Sequence, residues 1–221
     1  MDALAAPAAK AQEKKGKPKE RLYTIEDYLA MEESSLKNHE FDNGKLIPVA
    51  GGTPMHSLTK AHLVTALNNK IYAAGKEHLV FNSDIRVYLP TFDKAVMPDA
   101  TVVVGAADFY YVVPVGLLLN PTLIVEVLSK GTESYDRGEK FARYRTLPTL
   151  VEYVLVSQKE HRVETFVKQD GKWFLNEDSV GLDAMAELVS IGITISLADL
   201  YRHVALEQER KKKTHRQGKK P

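Results

Sequence analysis

Residues 121–156 read PTLIVEVLSKGTESYDRGEKFARYRTLPTLVEYVLV, and the fold turns on them. Leu123 to Leu128 form an apolar, β-branched run of the kind found in a buried central strand, with Glu126 in its middle. Ser134 to Leu147 read as a helix that stops before Pro148, and Glu152 to Val156 read as a second strand. A carboxylate inside a buried strand is costly unless a cation or hydrogen-bond donors compensate it. Glu126 therefore either pairs with an Arg or Lys or helps to hold a metal ion.

Working upstream, Met97-Pro98-Asp99 directly precedes Ala100-Thr101-Val102-Val103-Val104, so Asp99 stands at the mouth of another apolar strand. Two acidic groups on adjacent strands can converge on a hard divalent cation, which prefers oxygen ligands. Such an ion can turn a water into a nucleophile for phosphodiester hydrolysis, and a lysine beside it can stabilise charge on the phosphorus. Taken alone, Asp99 is equally a strand-initiating turn residue.

Further elements surround this pair. Thr24 with Asp27 opens a short helix through about Glu33. His39 to Val49 make a β-hairpin about Asn43-Gly44, a pair suited to a type I′ turn. Ser57 to Gly75 form the clearest helix, with Leu63, Leu67 and Ile71 recurring every four residues. Val80–Asn82, Ile85–Leu89, Arg162–Val167 and Lys172–Leu175 read as strands, the last two forming a hairpin at Asp170-Gly171. Ser196 with Asp199 caps a final helix carrying Leu197, Leu200, Tyr201 and Val204. The expected organisation is one α/β domain over 21–206, with basic, disordered tails at 1–20 and 207–221.

Composition narrows the chemistry. There are no cysteines among the 221 residues, so neither disulfides nor a thiolate zinc site can form. The net charge of +1 hides an asymmetry. Residues 1–21 hold six Lys/Arg against three Asp/Glu, and residues 207–221 hold seven against two. Removing both ends from the totals of 30 and 29 leaves 17 basic and 24 acidic residues, a net of −7. An acidic body argues against a broad basic DNA-binding face and is compatible with carboxylates gathered about a metal. The most apolar run, Tyr110 to Leu119, is about half the length of a membrane span and contains Pro114 and Gly116. It is expected as a loop at an interface between two copies, or folded into the core. The Ala-rich start lacks a charged leader before a long apolar stretch, so a cytoplasmic protein is expected. No Gly-rich phosphate loop, GxGxxG, GxSxG or HExxH is present, and no organic cofactor is expected.

A proline–aspartate at a strand start followed by an acidic residue on the next strand resembles the PD-(D/E)xK nuclease superfamily. More closely, the chain is similar to the Uma-two family of restriction-endonuclease-like proteins, once a domain of unknown function. HEFDNGKLI at 39–47, His56, SDIRV at 83–87, MPDATVVV at 97–104 and the segment at 121–156 carry the likeness, which spans most of residues 21–167. It implies a restriction-endonuclease-like core, with a mixed central sheet flanked by helices, and Mg²⁺- or Mn²⁺-dependent cleavage of DNA; a homodimer is expected because cutting both strands is simplest with two sites. Asp99 and Glu126 are implied as metal ligands and Glu40 as an added acidic residue. His56, Ser129, Thr132 and Asp136 are implied as supporting residues, and Tyr144 and Tyr153 as packing residues. The superfamily lysine belongs two places after the second carboxylate, where this chain has Leu128. Lys140 is the candidate replacement and Lys130 the weaker one; Lys140 could equally be a surface partner of Asp136 at i, i+4. A non-catalytic binding or assembly protein on the same fold is the alternative reading.

Overall fold

The structure is a computed structural model and describes residues 22–112 and 115–206, so the readings of 1–20 and 207–221 lie outside the described residues. Helix α1 (Ile25–Ser34) opens on a reciprocal cap: Thr24 Oγ1 accepts from the Asp27 amide and Asp27 Oδ2 from the Thr24 amide, both at 3.1 Å. Strands β1 (His39–Asp42) and β2 (Lys45–Pro48) turn at Asn43 and Gly44, whose φ angles are +46° and +86°. A type I′ turn requires those positive values. Helix α2 (Pro54–Ala73) begins three residues before the apolar spacing suggests, because Thr53 accepts from the His56 amide and Pro54 fills the first turn at no loss of a hydrogen bond.

The chain then runs through β3 (Leu79–Phe81), β4 (Arg86–Leu89), β5 (Lys94–Val96), β6 (Ala100–Val103), β7 (Phe109–Val112), β8 (Val115–Leu118) and β9 (Leu123–Val127). A helical crossover follows, made of α3 (Glu133–Tyr135), a π-helical turn (Asp136–Lys140) and α4 (Phe141–Tyr144). Next come β10 (Glu152–Val156), β11 (Arg162–Gln169), β12 (Lys172–Val180), β13 (Met185–Leu188), β14 (Ile193–Ser196) and α5 (Leu197–Leu200).

The strands form two six-stranded mixed sheets and a small hairpin. The first has the order β2-β1-β5-β4-β8-β7 and the second β12-β11-β10-β9-β6-β3, while β13 pairs with β14. β9 and β10 are parallel, which demands a crossover of the kind that residues 128–151 supply. Alternation along β9 sorts its side chains between two cores. Leu123, Val125 and Val127 pack toward α2, α5 and the β13–β14 hairpin. Ile124 and Leu128 pack toward the helical crossover and the first sheet, and Glu126 shares their side by the period of two. The far face of the first sheet is closed by α1, through Tyr28, Leu29, Phe41 and Ala95. This is a mixed α+β fold with sheets flanked by few helices, and no helix among the described residues is long and apolar enough to cross a membrane.

Several local expectations are corrected. In the stretch from Tyr110 to Leu119, residues up to Val112 and from Val115 to Leu118 belong to the paired strands β7 and β8 rather than a loop; Leu117 and Leu118 are fully buried, as the core alternative expected, and β8 runs parallel to β4. The helix expected at 134–147 begins at Glu133, passes through the π turn and ends at Tyr144. The last helix is a single turn, with Tyr201 and Val204 packed beyond it. β12 reaches Val180, and β5, β13 and β14 had no counterpart in the sequence reading, being only three or four residues long.

Candidate functional site

Asp99 reaches its position through the strand that follows it. β6 pairs with β9 so that Ala100 faces Val125 and Thr101 faces Ile124. Asp99 is the residue just before Ala100, and its carboxylate is near enough to Glu126 to add to that residue's pKa shift. The Asp99 carboxylate is tied down on three sides. Oδ2 accepts from the Val127 amide at 2.7 Å and lies 3.3 Å from His56 Nε2, while Oδ1 lies 3.4 Å from Lys60 Nζ. Burial alone would raise its pKa, but His56, Lys60 and the Val127 amide outweigh that and hold it below the ordinary value. His56 Nε2 is also 3.0 Å from the Val127 carbonyl, which can only accept, so Nε2 carries the proton. Nδ1 is buried with no hydrogen-bond partner among the described residues.

Glu126 is almost wholly enclosed. Its Oε1 accepts from Tyr144 Oη at 3.1 Å and lies 2.7 Å from Lys140 Nζ; Oε2 accepts no hydrogen bond among the described residues. Burial pushes its pKa up to about 8, with Asp99 and Asp136 adding to the shift and Lys140 opposing it. Lys140, with a side chain only 8% exposed, also donates to the Met97 carbonyl at 3.4 Å and lies 3.8 Å from Asp136 Oδ1. Burial disfavours its charge, but Glu126, Glu40 and Asp136 outweigh burial and hold the ammonium protonated. Burial raises Asp136 as well. Glu40 arrives from the first sheet: its Oε1 accepts from the Met97 amide at 3.0 Å, and its charge is felt at Lys140, Asp136 and Tyr144.

The residues singled out in the sequence thus divide. Glu40, His56, Asp99, Glu126, Asp136 and Lys140 lie in one connected cluster. Lys130 is exposed on the loop after β9. Leu128 is packed in the core on the Glu126 side, the side on which a lysine at that position would stand. Ser129 Oγ and Thr132 Oγ1 are 3.0 Å apart and brace that loop. Tyr144 does more than pack, since it donates to Glu126, and Tyr153 donates to the Asp136 carbonyl at 2.9 Å while stacking on Phe141. Glu152 lies apart, accepting from the Val189 and Ser190 amides at the β13–β14 turn. Lys60 was not anticipated; its signal was the four-residue spacing from His56, which puts both on one face of α2.

The donor set fits a hard divalent cation. Among the described residues no three histidine or carboxylate side chains converge tightly enough to hold a metal unaided. Mg²⁺ suits such a place, because it keeps several waters and takes one or two carboxylates. Asp99 and Glu126 offer oxygen alone, and Glu126 retains a carboxylate oxygen without a hydrogen bond in a pocket where negative charge is in excess.

Comparison with known proteins agrees with this architecture. A family model, Uma2, described as "Putative restriction endonuclease", matches residues 25–198. Two uncharacterized proteins of Synechocystis sp. are similar. One, sll1609, is 33% identical over 158 residues, covering 71% of this chain and 88% of its own length. The other, slr1290, is 32% identical over 181 residues, covering 81% and 92%. The crystal structure of "a putative nuclease belonging to DUF820" from Anabaena variabilis superposes with a TM-score of 0.61 at 17% identity, covering 83% of this chain and 99% of that one, a likeness of fold.

Proposed function

Because the chain belongs to the Uma2 family, we propose that it is a divalent-metal-dependent endonuclease that hydrolyses DNA phosphodiester bonds, with Asp99 and Glu126 holding Mg²⁺ or Mn²⁺. One observation carries the reading: Asp99, just before β6, and Glu126, on the neighbouring β9, are electrostatically coupled, and a buried lysine, Lys140, lies 2.7 Å from Glu126. The carboxylates offer oxygen ligands to a divalent cation, and a lysine from the crossover stands beside Glu126 where position 128 is a leucine.

A bound divalent ion lowers the pKa of a water and offsets charge on the phosphate. The chain does the rest. The Val127 amide and His56 fix the Asp99 carboxylate, so one rotamer is held ready and little ordering is left for the moment of reaction. Tyr144 does the same for Glu126. Lys140 lets the carboxylates of Glu126, Asp136 and Glu40 stand near one another by offsetting part of their charge. In the reaction, the water oxygen would form a new bond to phosphorus and release a proton to solvent, one bridging P–O bond would break, and the departing oxygen would take up a proton from solvent. A duplex has two strands, and a two-fold pair of copies is the simplest way to cut both; light scattering would separate that assembly from a 24.7 kDa monomer.

The test is cleavage of supercoiled plasmid, linear duplex and single-stranded DNA by the purified protein with Mg²⁺ or Mn²⁺. Asp99→Ala and EDTA should each abolish it. The close Lys140–Glu126 pair also favours a second reading, a non-catalytic binding protein whose site is neutralised from within. That reading stands if the wild-type protein binds DNA but leaves every substrate intact with either metal.

A further inference from the structure

The cluster contains two lysines in unlike settings. Lys140 is closed in: Glu126 Oε1, the Met97 carbonyl and Asp136 Oδ1 surround its ammonium, and an ammonium has only three N–H groups to give. Lys60 stands on the other flank of Asp99, with a side chain 25% exposed. Its Nζ donates to Ser83 Oγ at 3.2 Å and lies 3.4 Å from Asp99 Oδ1, so both contacts are long and a third N–H direction is left over. The stem of Lys60 is anchored on the twenty-residue helix α2, one turn after His56, and its side chain is partly exposed. Ser83 is itself set by a tight turn in which the Asp84 amide donates to Asn82 Oδ1 at 3.0 Å.

We propose that Lys60 is the residue that meets the scissile phosphate, and that Lys140 is a positioning residue for Glu126. The inference rests on the nuclease reading above and assigns a role within it. A phosphodiester carries one negative charge, and the chain between its two basic ends carries a net −7. A phosphate approaching Asp99 is therefore repelled unless a cation can turn toward it. Lys60 can do so by exchanging two long, partly solvated contacts for a phosphate oxygen. Lys140 is enclosed, with all three of its contacts inside the cluster, and would have to give them up to reach a phosphate outside.

The deciding measurement is the affinity of the full chain for a short DNA duplex across a salt series, with Ca²⁺ in place of Mg²⁺, for wild type, Lys60→Gln, Lys60→Arg and Lys140→Gln. Each phosphate contact contributes a slope of about 0.9 in log K against log salt. Lys60→Gln should weaken binding and flatten the slope by about that amount at an unchanged unfolding temperature, and Lys60→Arg should restore it. Lys140→Gln should keep the slope while lowering the unfolding temperature. Lys60→Met reads the same slope should the glutamine variant fail to fold. An unchanged slope in the Lys60 variants, or a slope lost in Lys140→Gln instead, overturns the proposal, as does a wild-type protein that binds no DNA. Binding with the predicted slope change but without cleavage under Mg²⁺ or Mn²⁺ overturns the nuclease reading and leaves the Lys60 contact supported.

Discussion

Glu126 and Lys140 form a buried ion pair, and such pairs behave asymmetrically on substitution. Removing one partner strands a charge and costs about 3–5 kcal/mol, whereas replacing both with uncharged groups of similar size is often close to neutral. Glu126 has an escape that Lys140 lacks, because burial already pushes its pKa up to about 8 and it can take up a proton. Lys140→Met should therefore destabilise less than Glu126→Gln, and the double variant should be more stable than the sum of the two losses predicts; urea unfolding of all four proteins tests this, and strict additivity contradicts it. The same shift governs metal uptake. A protonated Glu126 cannot ligate, so Mg²⁺ or Mn²⁺ affinity should fall about tenfold per pH unit below about 8 and level off above it, with close to one proton released per ion near pH 7. For the metal-free fold the sign is the reverse. The folded pKa lies above the ordinary 4.5, so the stability Glu126 contributes is full below that value and is lost as pH rises toward 8. Calorimetry in buffers of differing ionisation enthalpy checks the first and thermal unfolding against pH the second. Glu126 was legible in the sequence because an acid in LIVEVL violates its apolar surroundings. Lys140 was only half legible, since its spacing from Asp136 fits a surface pair as well as a buried one. Lys60 was not legible, because its meaning depends on where α2 lies against β6.

The π turn explains much of the difference between the helix expected at 134–147 and the one that forms. A regular α-helix and a widened turn have the same residue preferences to first order, so no local pattern announces the change. Its effect is visible in burial: Asp136, Lys140 and Tyr144, four and eight residues apart, all lie inside, while Gly138 and Glu139 between them are exposed. Turns of this kind are frequent at functional sites. Gly138 has no positive φ, and a Cβ built there would meet nothing within 4 Å. Gly138→Ala should accordingly raise stability by about 0.5–1 kcal/mol without altering metal affinity; a loss of stability would mean that the turn needs backbone freedom which alanine lacks. Gly44 is the contrary case. With φ at +86° and a would-be Cβ 3.1 Å from Leu22 Cδ2, Gly44→Ala should destabilise by about 1–2 kcal/mol.

At the scale of the whole chain, the second sheet was readable in its strongest strands, because long β-branched runs declare themselves. Of the first sheet, the β1–β2 hairpin and strand β4 were readable, but its assembly was not. It joins three- and four-residue strands across large sequence gaps, as in Phe41 opposite Ala95 and Val87 opposite Leu118, and nothing local encodes such pairings. Charge is also a whole-chain property: the basic residues of 207–221 are proposed to lend DNA affinity that the acidic remainder lacks. Removing them should weaken binding of any DNA sequence alike and reduce its salt dependence while leaving metal affinity unchanged, which filter binding and metal titration would measure. Finally, the cluster draws Glu40 from one sheet, Asp99 and Glu126 from the other, and Lys140 from the crossover between strands β9 and β10. Every one of these meetings closes a long loop, and loop closure is the late, entropy-limited part of folding. If the proposed nuclease reading holds, competence and native topology should vanish together in a single cooperative transition, so that unfinished or damaged copies would present no hazard to the DNA around them.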